Sequence, residues 1–298
     1  MRAAQRWQAV TTCATAQVFV GGSVAVSALL ADAPLFTAQA IRYAFACLLL
    51  LGMARFAGRP VSWPRGREWA WLLGVVGAGI VVFNVALVRG SEHAEPAVLG
   101  VAVACVPILL ALIGPVLEGN RPTATAVAAA AVVTCGAALV QGLGRTDAIG
   151  LGWAFVVFAC ETGFTLFAVP VLLRIGPWGV SVHTTWLSAI VFAVIGVIDE
   201  GPTATTRLRA DDLWAMVYLA VAVTALAFVL WYSGVHILGS SRAGLLTGIA
   251  PIAAAAVGVL LGGAAPRPLV WLGIAVVAAG LALGLGVRRG HSSVGGRT

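Results

Sequence analysis

The sequence predicts an all-α, polytopic membrane protein of ten transmembrane helices, arranged as two inverted five-helix repeats. Three observations carry this. Of 298 residues, 60% are hydrophobic and only 10% charged, with a mean hydropathy of +1.00. A soluble domain of that length needs far more charge to cover its surface, so the excess apolar surface requires lipid as its solvent. The apolar residues fall into ten runs, each near the roughly 20 residues that cross a bilayer. Helix-breaking residues recur at one constant offset along the chain.

The ten spans are placed at 9–30, 35–56, 69–89, 95–117, 124–143, 149–173, 179–198, 212–233, 240–262 and 268–287. Turn and charge signals separate them: Asp32-Ala33-Pro34, Arg59-Pro60, Arg65-Gly66-Arg67, Gly119-Asn120-Arg121-Pro122, Gly144-Arg145-Thr146-Asp147 and Pro266-Arg267-Pro268. Arg2 and Arg6 precede the first run as in a signal peptide, with Ala31 or Ala33 as small residues for cleavage. That run is too long for a typical signal core and reads better as the first span.

The chain has no Lys; every base is Arg. With the N-terminus inside, twelve arginines lie on the cytoplasmic side: Arg2, Arg6, Arg55, Arg59, Arg65, Arg67, Arg121, Arg174, Arg242, Arg288, Arg289 and Arg297. Five lie opposite: Arg89, Arg145, Arg207, Arg209 and Arg267. The asymmetry places both termini in the cytoplasm of an inner or plasma-membrane protein. Net charge is +7, but no aromatic-basic patch or known motif points to nucleic acid. Cys13, Cys47, Cys105, Cys135 and Cys160 sit in apolar runs without CxxC spacing, so they read as small packing residues.

An offset of 144 pairs Pro107 with Pro251, Pro122 with Pro266, and Gly90, Gly100, Gly114, Gly136 and Gly142 with Gly234, Gly244, Gly258, Gly280 and Gly286. The division falls at 1–145 and 146–298. Five spans per half is an odd number, which forces the halves to insert in opposite orientations, an architecture common in secondary transporters. The segment FNVALVRGSEHAEPAVLGVAVACVPILLAL (83–112), its second copy SSRAGLLTGIAPIAAAAVGVLLGG (240–263) and TAQAIRY (37–43) together resemble the EamA branch of the drug/metabolite transporter superfamily. The resemblance covers nearly the whole chain and implies an EamA-type permease. The family's Gly-Glu after the fourth and ninth spans is replaced here by Gly119-Asn120 and Gly263-Ala264, with Glu118 beside the first as a shifted equivalent. The first span lacks the Trp common near Gly21-Gly22; Phe19 is the nearest aromatic residue.

An ionisable group inside a span is costly unless it faces water or a partner. Glu161 lies at mid-span in the sixth run, with Thr165 one turn on, and reads as a group that exchanges a proton; a purely structural carboxyl is the alternative. Its counterpart 144 residues earlier is Gln17, also polar and mid-span. Arg42 can snorkel, pair with an acid, or bind a substrate carboxylate. Asn84 can bond substrate or tie two helices together. His183 and Trp186 share one face of the seventh span, with an interfacial role as the alternative. Trp231 and Tyr232, at the end of the eighth, read as interface anchors. Glu92, His93 and Glu95 could in principle hold a divalent cation, though a solvated turn explains them as well, and no metal or cofactor is assigned.

No catalytic or nucleotide-binding motif appears, which argues against an enzyme or an ATP-driven pump. The leading reading is a secondary transporter working by alternating access on a small-molecule substrate in the lipid bilayer. Export of metabolites, amino acids or drugs, driven by protons, is expected; uptake, a non-transporting scaffold and an intramembrane enzyme are the alternatives. A monomer and a homodimer are equally compatible.

Overall fold

The computed structural model describes residues 3–27, 30, 32–261 and 266–286. Among them the chain is helical throughout, its β-structure limited to one isolated bridge between Ala94 and Thr146. We number ten helices: α1 (Ala3–Ser27), α2 (Leu35–Phe56), α3 (Glu68–Ser91), α4 (Pro96–Leu117), α5 (Ala124–Gln141), α6 (Ala148–Leu166), α7 (Val169–Asp199), α8 (Ala210–Leu238), α9 (Ser240–Leu260) and α10 (Pro268–Gly286). Helices α2 to α10 are each long and apolar enough to cross a membrane. Helix α1, at 25 residues, is long enough as well and packs along α8 and α9. Arg2, Arg288, Arg289, Arg297, Gly263 and Ala264, all used in the sequence reading, lie outside the described residues.

Polarity is distributed inside out relative to a soluble protein. Leu48, Phe155, Val194 and Trp271 are more than half exposed, whereas Gln17, Gln39, Thr162, Thr184, Thr185 and Thr224 are buried. Lipid solvates the first set, and the helices must satisfy the second internally. Several hydroxyls do so on their own helix: Thr162 donates to the Phe158 carbonyl and Thr184 to the Val180 carbonyl, each at 2.8 Å.

The repeat is written into backbone geometry. Helix α3 carries a π-helical segment at Val75–Val82, and α8 carries one at Leu219–Leu226, both ends displaced by 144. Packing follows the same rule. Exchanging each helix with the one five places on turns the α3–α6 contact into α8–α1 and α4–α6 into α9–α1, while α2–α7, α4–α9 and α5–α10 map onto themselves. The α5–α10 crossing shows why small residues recur. A Cβ on Gly136 would come within 2.6 Å of the Val277 nitrogen, and one on Gly280 within 2.9 Å of the Val133 nitrogen. Only glycine lets the two backbones approach so closely, and it does so symmetrically.

The sixth crossing differs from a single straight helix. Helix α6 starts beside His93 at the C-terminal end of α3, yet Arg174 meets Glu68 at the N-terminal end of α3. The segment Val169–Ile175 therefore completes the crossing. At Gly176 (φ 74°, ψ 168°) the helix breaks, Pro177 restarts it, and Glu200 has returned to the N-terminus of α2.

Candidate functional site

Glu161 lies close to the midpoint of the stretch from Ala148 to Ile175 and is half-buried. Among the described residues no hydrogen bond reaches its carboxyl, while the buried phenols Tyr43 and Tyr232 are within electrostatic reach. Tyr43 comes from α2 and stacks on Phe192 of α7 (centroids 5.6 Å apart). The neighbouring Thr165 is already committed: it accepts from Trp231 Nε1 at 3.0 Å, tying α6 to α8. Gln17, the repeat partner of Glu161, is buried on α1. One turn further, Gly21 is pressed against the Ala250 carbonyl of α9.

Arg42 and Asn84 are brought together by two residues that the sequence reading missed. Arg42 Nε donates to Thr224 Oγ1 at 2.9 Å and Nη1 to Gln39 Oε1 at 3.3 Å. Gln39 Nε2 donates to Asn84 Oδ1 at 2.9 Å, and Asn84 Nδ2 donates to the Ile80 carbonyl at 2.8 Å. Ile80 and Thr224 stand in the two π-helical segments, where the wider turn re-aims side chains and backbone groups. The guanidinium also lies 5.3 Å from the Tyr43 ring centroid. Tyr43 thus has a basic side chain of the first half, Arg42, and an acidic one of the second, Glu161, both within electrostatic reach. Gln39 was legible in principle, since it sits three residues before Arg42 on the same face. Nothing in the sequence marked Thr224.

His183 and Trp186 form a separate cluster near the opposite end of the bundle. Trp186 Nε1 donates to His183 Nδ1 at 3.0 Å, which leaves the proton on Nε2 to donate to the Ser62 carbonyl at 3.0 Å. Trp63 and Trp69 complete a group of four rings whose centroid separations run from 5.2 to 6.4 Å. Trp63 lies parallel to Trp186, with Trp69 and His183 steeply inclined to both.

One sequence reading is corrected. Trp231 and Tyr232 are buried, not interfacial, because α8 continues to Leu238; Tyr232 donates to the Phe164 carbonyl at 3.2 Å. The Glu92, His93 and Glu95 turn disperses its acids and imidazole. Glu92 pairs with Arg89 at 3.4 Å, His93 with Asp147 at 2.9 Å and Glu95 with Arg145 at 2.8 Å. Outside the membrane-spanning segments, these contacts hold two carboxyls below the ordinary range: Glu95 mainly through Arg145, Asp147 mainly through the Gly150 N–H and then His93. Glu118, offered as the shifted family acid, accepts from Ser240 N and Oγ at 2.6 Å each and caps α9.

With this geometry in place, comparison with known proteins is informative. The model of the EamA-like transporter family matches residues 7–141 and again 148–285. The "Uncharacterized transporter YetK" of Bacillus subtilis is 24% identical over 254 residues, spanning 83% of this chain and 77% of that protein. The "Probable terminal-alkyne amino-acid exporter" of Streptantibioticus cattleyicolor is 27% identical over 246 residues, spanning 78% and 80%. A solved crystal structure superposes with a TM-score of 0.77 at 18% identity, covering 93% of this chain and 96% of that one, a likeness of fold.

Proposed function

This chain belongs to the EamA-like transporter family and is a multi-pass membrane transporter of a small molecule; from that premise we propose that it exports amino-acid-class metabolites by proton-coupled alternating access. The observation that carries the reading is that Arg42 and Glu161 both lie within electrostatic reach of Tyr43. A guanidinium and a carboxyl both within electrostatic reach of one phenol match a zwitterion, whose carboxylate suits Arg42 and whose ammonium suits Glu161. The name of the Streptantibioticus relative, an amino-acid exporter, points to the same class.

In this reading Glu161 carries the proton. A carboxyl without a hydrogen-bond donor, deep in the bilayer, is neutral when alone and ionises when a cationic group or water reaches it. Substrate entry and proton release are then linked, as exchange requires. Gln17 serves the equivalent position of the first half without a charge. The halves divide at 145/146, both termini lie in the cytoplasm, and the plasma membrane is the site of action. Glu161→Gln keeps shape and hydrogen-bonding capacity but cannot exchange a proton. In proteoliposomes under an imposed pH gradient, the variant is expected to insert and bind amino acids yet lose pH-driven transport. Unchanged rate and unchanged pH dependence would leave Glu161 a structural group.

A further inference from the structure

The repeat places a carboxylate at the start of the third helix of each half, Glu68 and Asp212, 144 residues apart. Both are held the same way. Glu68 Oε2 accepts from the Arg65 N–H at 2.7 Å, and Asp212 Oδ2 accepts from the Arg209 N–H at 2.8 Å, again with 144 between the donors. Beyond that the two ends diverge.

Glu68 is ion-paired with Arg174, whose Nε and Nη2 both engage its carboxylate while Nη2 also donates to the Trp63 carbonyl at 3.0 Å. Arg174 belongs to the second half, Glu68 and Trp63 to the first, so the contact bridges the halves. The rings of Trp63, Trp69, His183 and Trp186 close the same junction from two helices and a loop. At the opposite end, the repeat position of Arg174 is Leu30. Asp212 is 1% exposed, and its Oδ1 has no hydrogen-bond partner. The arginine beside it, Arg209, stands at 3.8 Å and comes from the start of its own helix. Arg209 reaches across to Asp32 of the first half at 3.6 Å, with both side chains well exposed. Glu200 also crosses here, accepting from the Phe36 and Thr37 N–H groups at 2.8 Å and from the Thr37 hydroxyl at 2.6 Å, but its partners among the described residues are neutral donors and no guanidinium takes part.

Resting on the alternating-access reading above, we propose that Glu68, Arg174 and the four-ring cluster are the latched gate at one end of the transport path, and that Asp212 is the acid of the opposite gate, for which the described residues of the first half supply no cation. Identical inverted halves would make the two end states equal in energy, because the repeat exchange converts one into the other. A bidentate, partly buried ion pair at one end, answered at the other by an exposed pair and by neutral donors, removes that equality and sets the resting state. The imbalance is a feature of the chain itself, Arg at 174 against Leu at 30, and so biases the protein toward the state closed at the Glu68 end. On the arginine topology that end is cytoplasmic, and unlatching it precedes substrate loading for export.

Hydrogen–deuterium exchange on the full chain in lipid nanodiscs, without substrate, tests this. For Arg174→Gln, amides at 58–68 are expected to exchange roughly fivefold faster, the scale of one partly exposed ion pair, while those at 203–212 slow reciprocally. Leu30→Arg supplies such a cation opposite Asp212 and is expected to shift both segments in the same directions. The charge-swapped double variant Glu68→Arg/Arg174→Glu restores the ion pair without the bonds to the Trp63 carbonyl and the Arg65 N–H and is expected to return both segments most of the way to wild-type rates, which separates latching from misfolding. A change confined to 58–68 in Arg174→Gln, or no response at 58–68 in Leu30→Arg, overturns the proposal. If Arg174→Gln does not fold, the Leu30→Arg arm alone decides. These rates need neither substrate nor a pH gradient, so loss of the Glu161 reading would leave them unaffected, and their failure would leave the Glu161 transport assay intact.

Discussion

The second helix of the first half and the second helix of the second half make the same local contact with different chemistry. In α2, Arg42 donates to Gln39 three residues earlier; in α7, Trp186 donates to His183 three residues earlier, and 144 residues separate both members of the pairs. The first pair continues into a hydrogen-bonded chain through Asn84 and Thr224. The second continues into stacked and edge-packed rings with Trp63 and Trp69. Inverted orientation sends the pairs to opposite ends of the bundle. One backbone position has therefore been used twice, once for a charge-bearing hydrogen-bonded layer and once for a ring cluster. The scaffold is symmetric because packing requires it, whereas the side-chain chemistry differs between the halves.

The comparison breaks most sharply at the rings. Trp186→Ala removes a side chain that packs on three others and strips His183 of its donor. A stability loss of about 3 kcal/mol is expected, read by thermal or denaturant unfolding in detergent, by analogy with large-to-small substitutions. Arg42→Ala should cost less stability but more transport. If instead Arg42→Ala unfolds the protein and Trp186→Ala leaves it stable, the division into polar layer and ring cluster is wrong. Arg42→Lys sharpens the point: the charge stays, but one ammonium cannot span Thr224 and Gln39 with the fixed geometry of a guanidinium, and roughly tenfold slower transport is expected. Trp186→Phe keeps a ring and loses only the N–H to His183, for about 1 kcal/mol in the same unfolding assay.

The smallest effect lies where the turn after α3 meets the start of α6. Position 93 holds His, whereas its repeat position holds Ile237, so the His93–Asp147 pair has no counterpart there. Asp147 is held below the ordinary carboxylate range by the Gly150 N–H and by His93. A carboxyl whose folded value is depressed contributes stability above its unfolded value and loses it as pH falls through the folded one. Asp147→Asn should therefore flatten the acid limb of the unfolding profile and change little at neutral pH; an unaltered acid limb would count against the pairing.

Much of the fold was legible because its causes are local and periodic. Ten apolar runs, arginine asymmetry and glycines at one offset specify helices, their number and their relation, and the backbone keeps the register to the residue in its two π-helical segments. Glu161, Arg42, Asn84 and His183 stood out because polar groups within a membrane are costly and so conspicuous in sequence. What each one touches was settled only in three dimensions. Thr224 is an ordinary hydroxyl in an apolar run until a π-helical turn presents it to Arg42. Trp231 sits near the predicted end of a span until α8 extends past it and buries it against Thr165. Glu92, His93 and Glu95 are neighbours along the chain but spread to three partners in space. Spacing along one helix fixes which side chains share a face, whereas the choice of partner depends on which other helix arrives there, and helix packing at close backbone contacts such as Gly136 and Gly280 makes that choice.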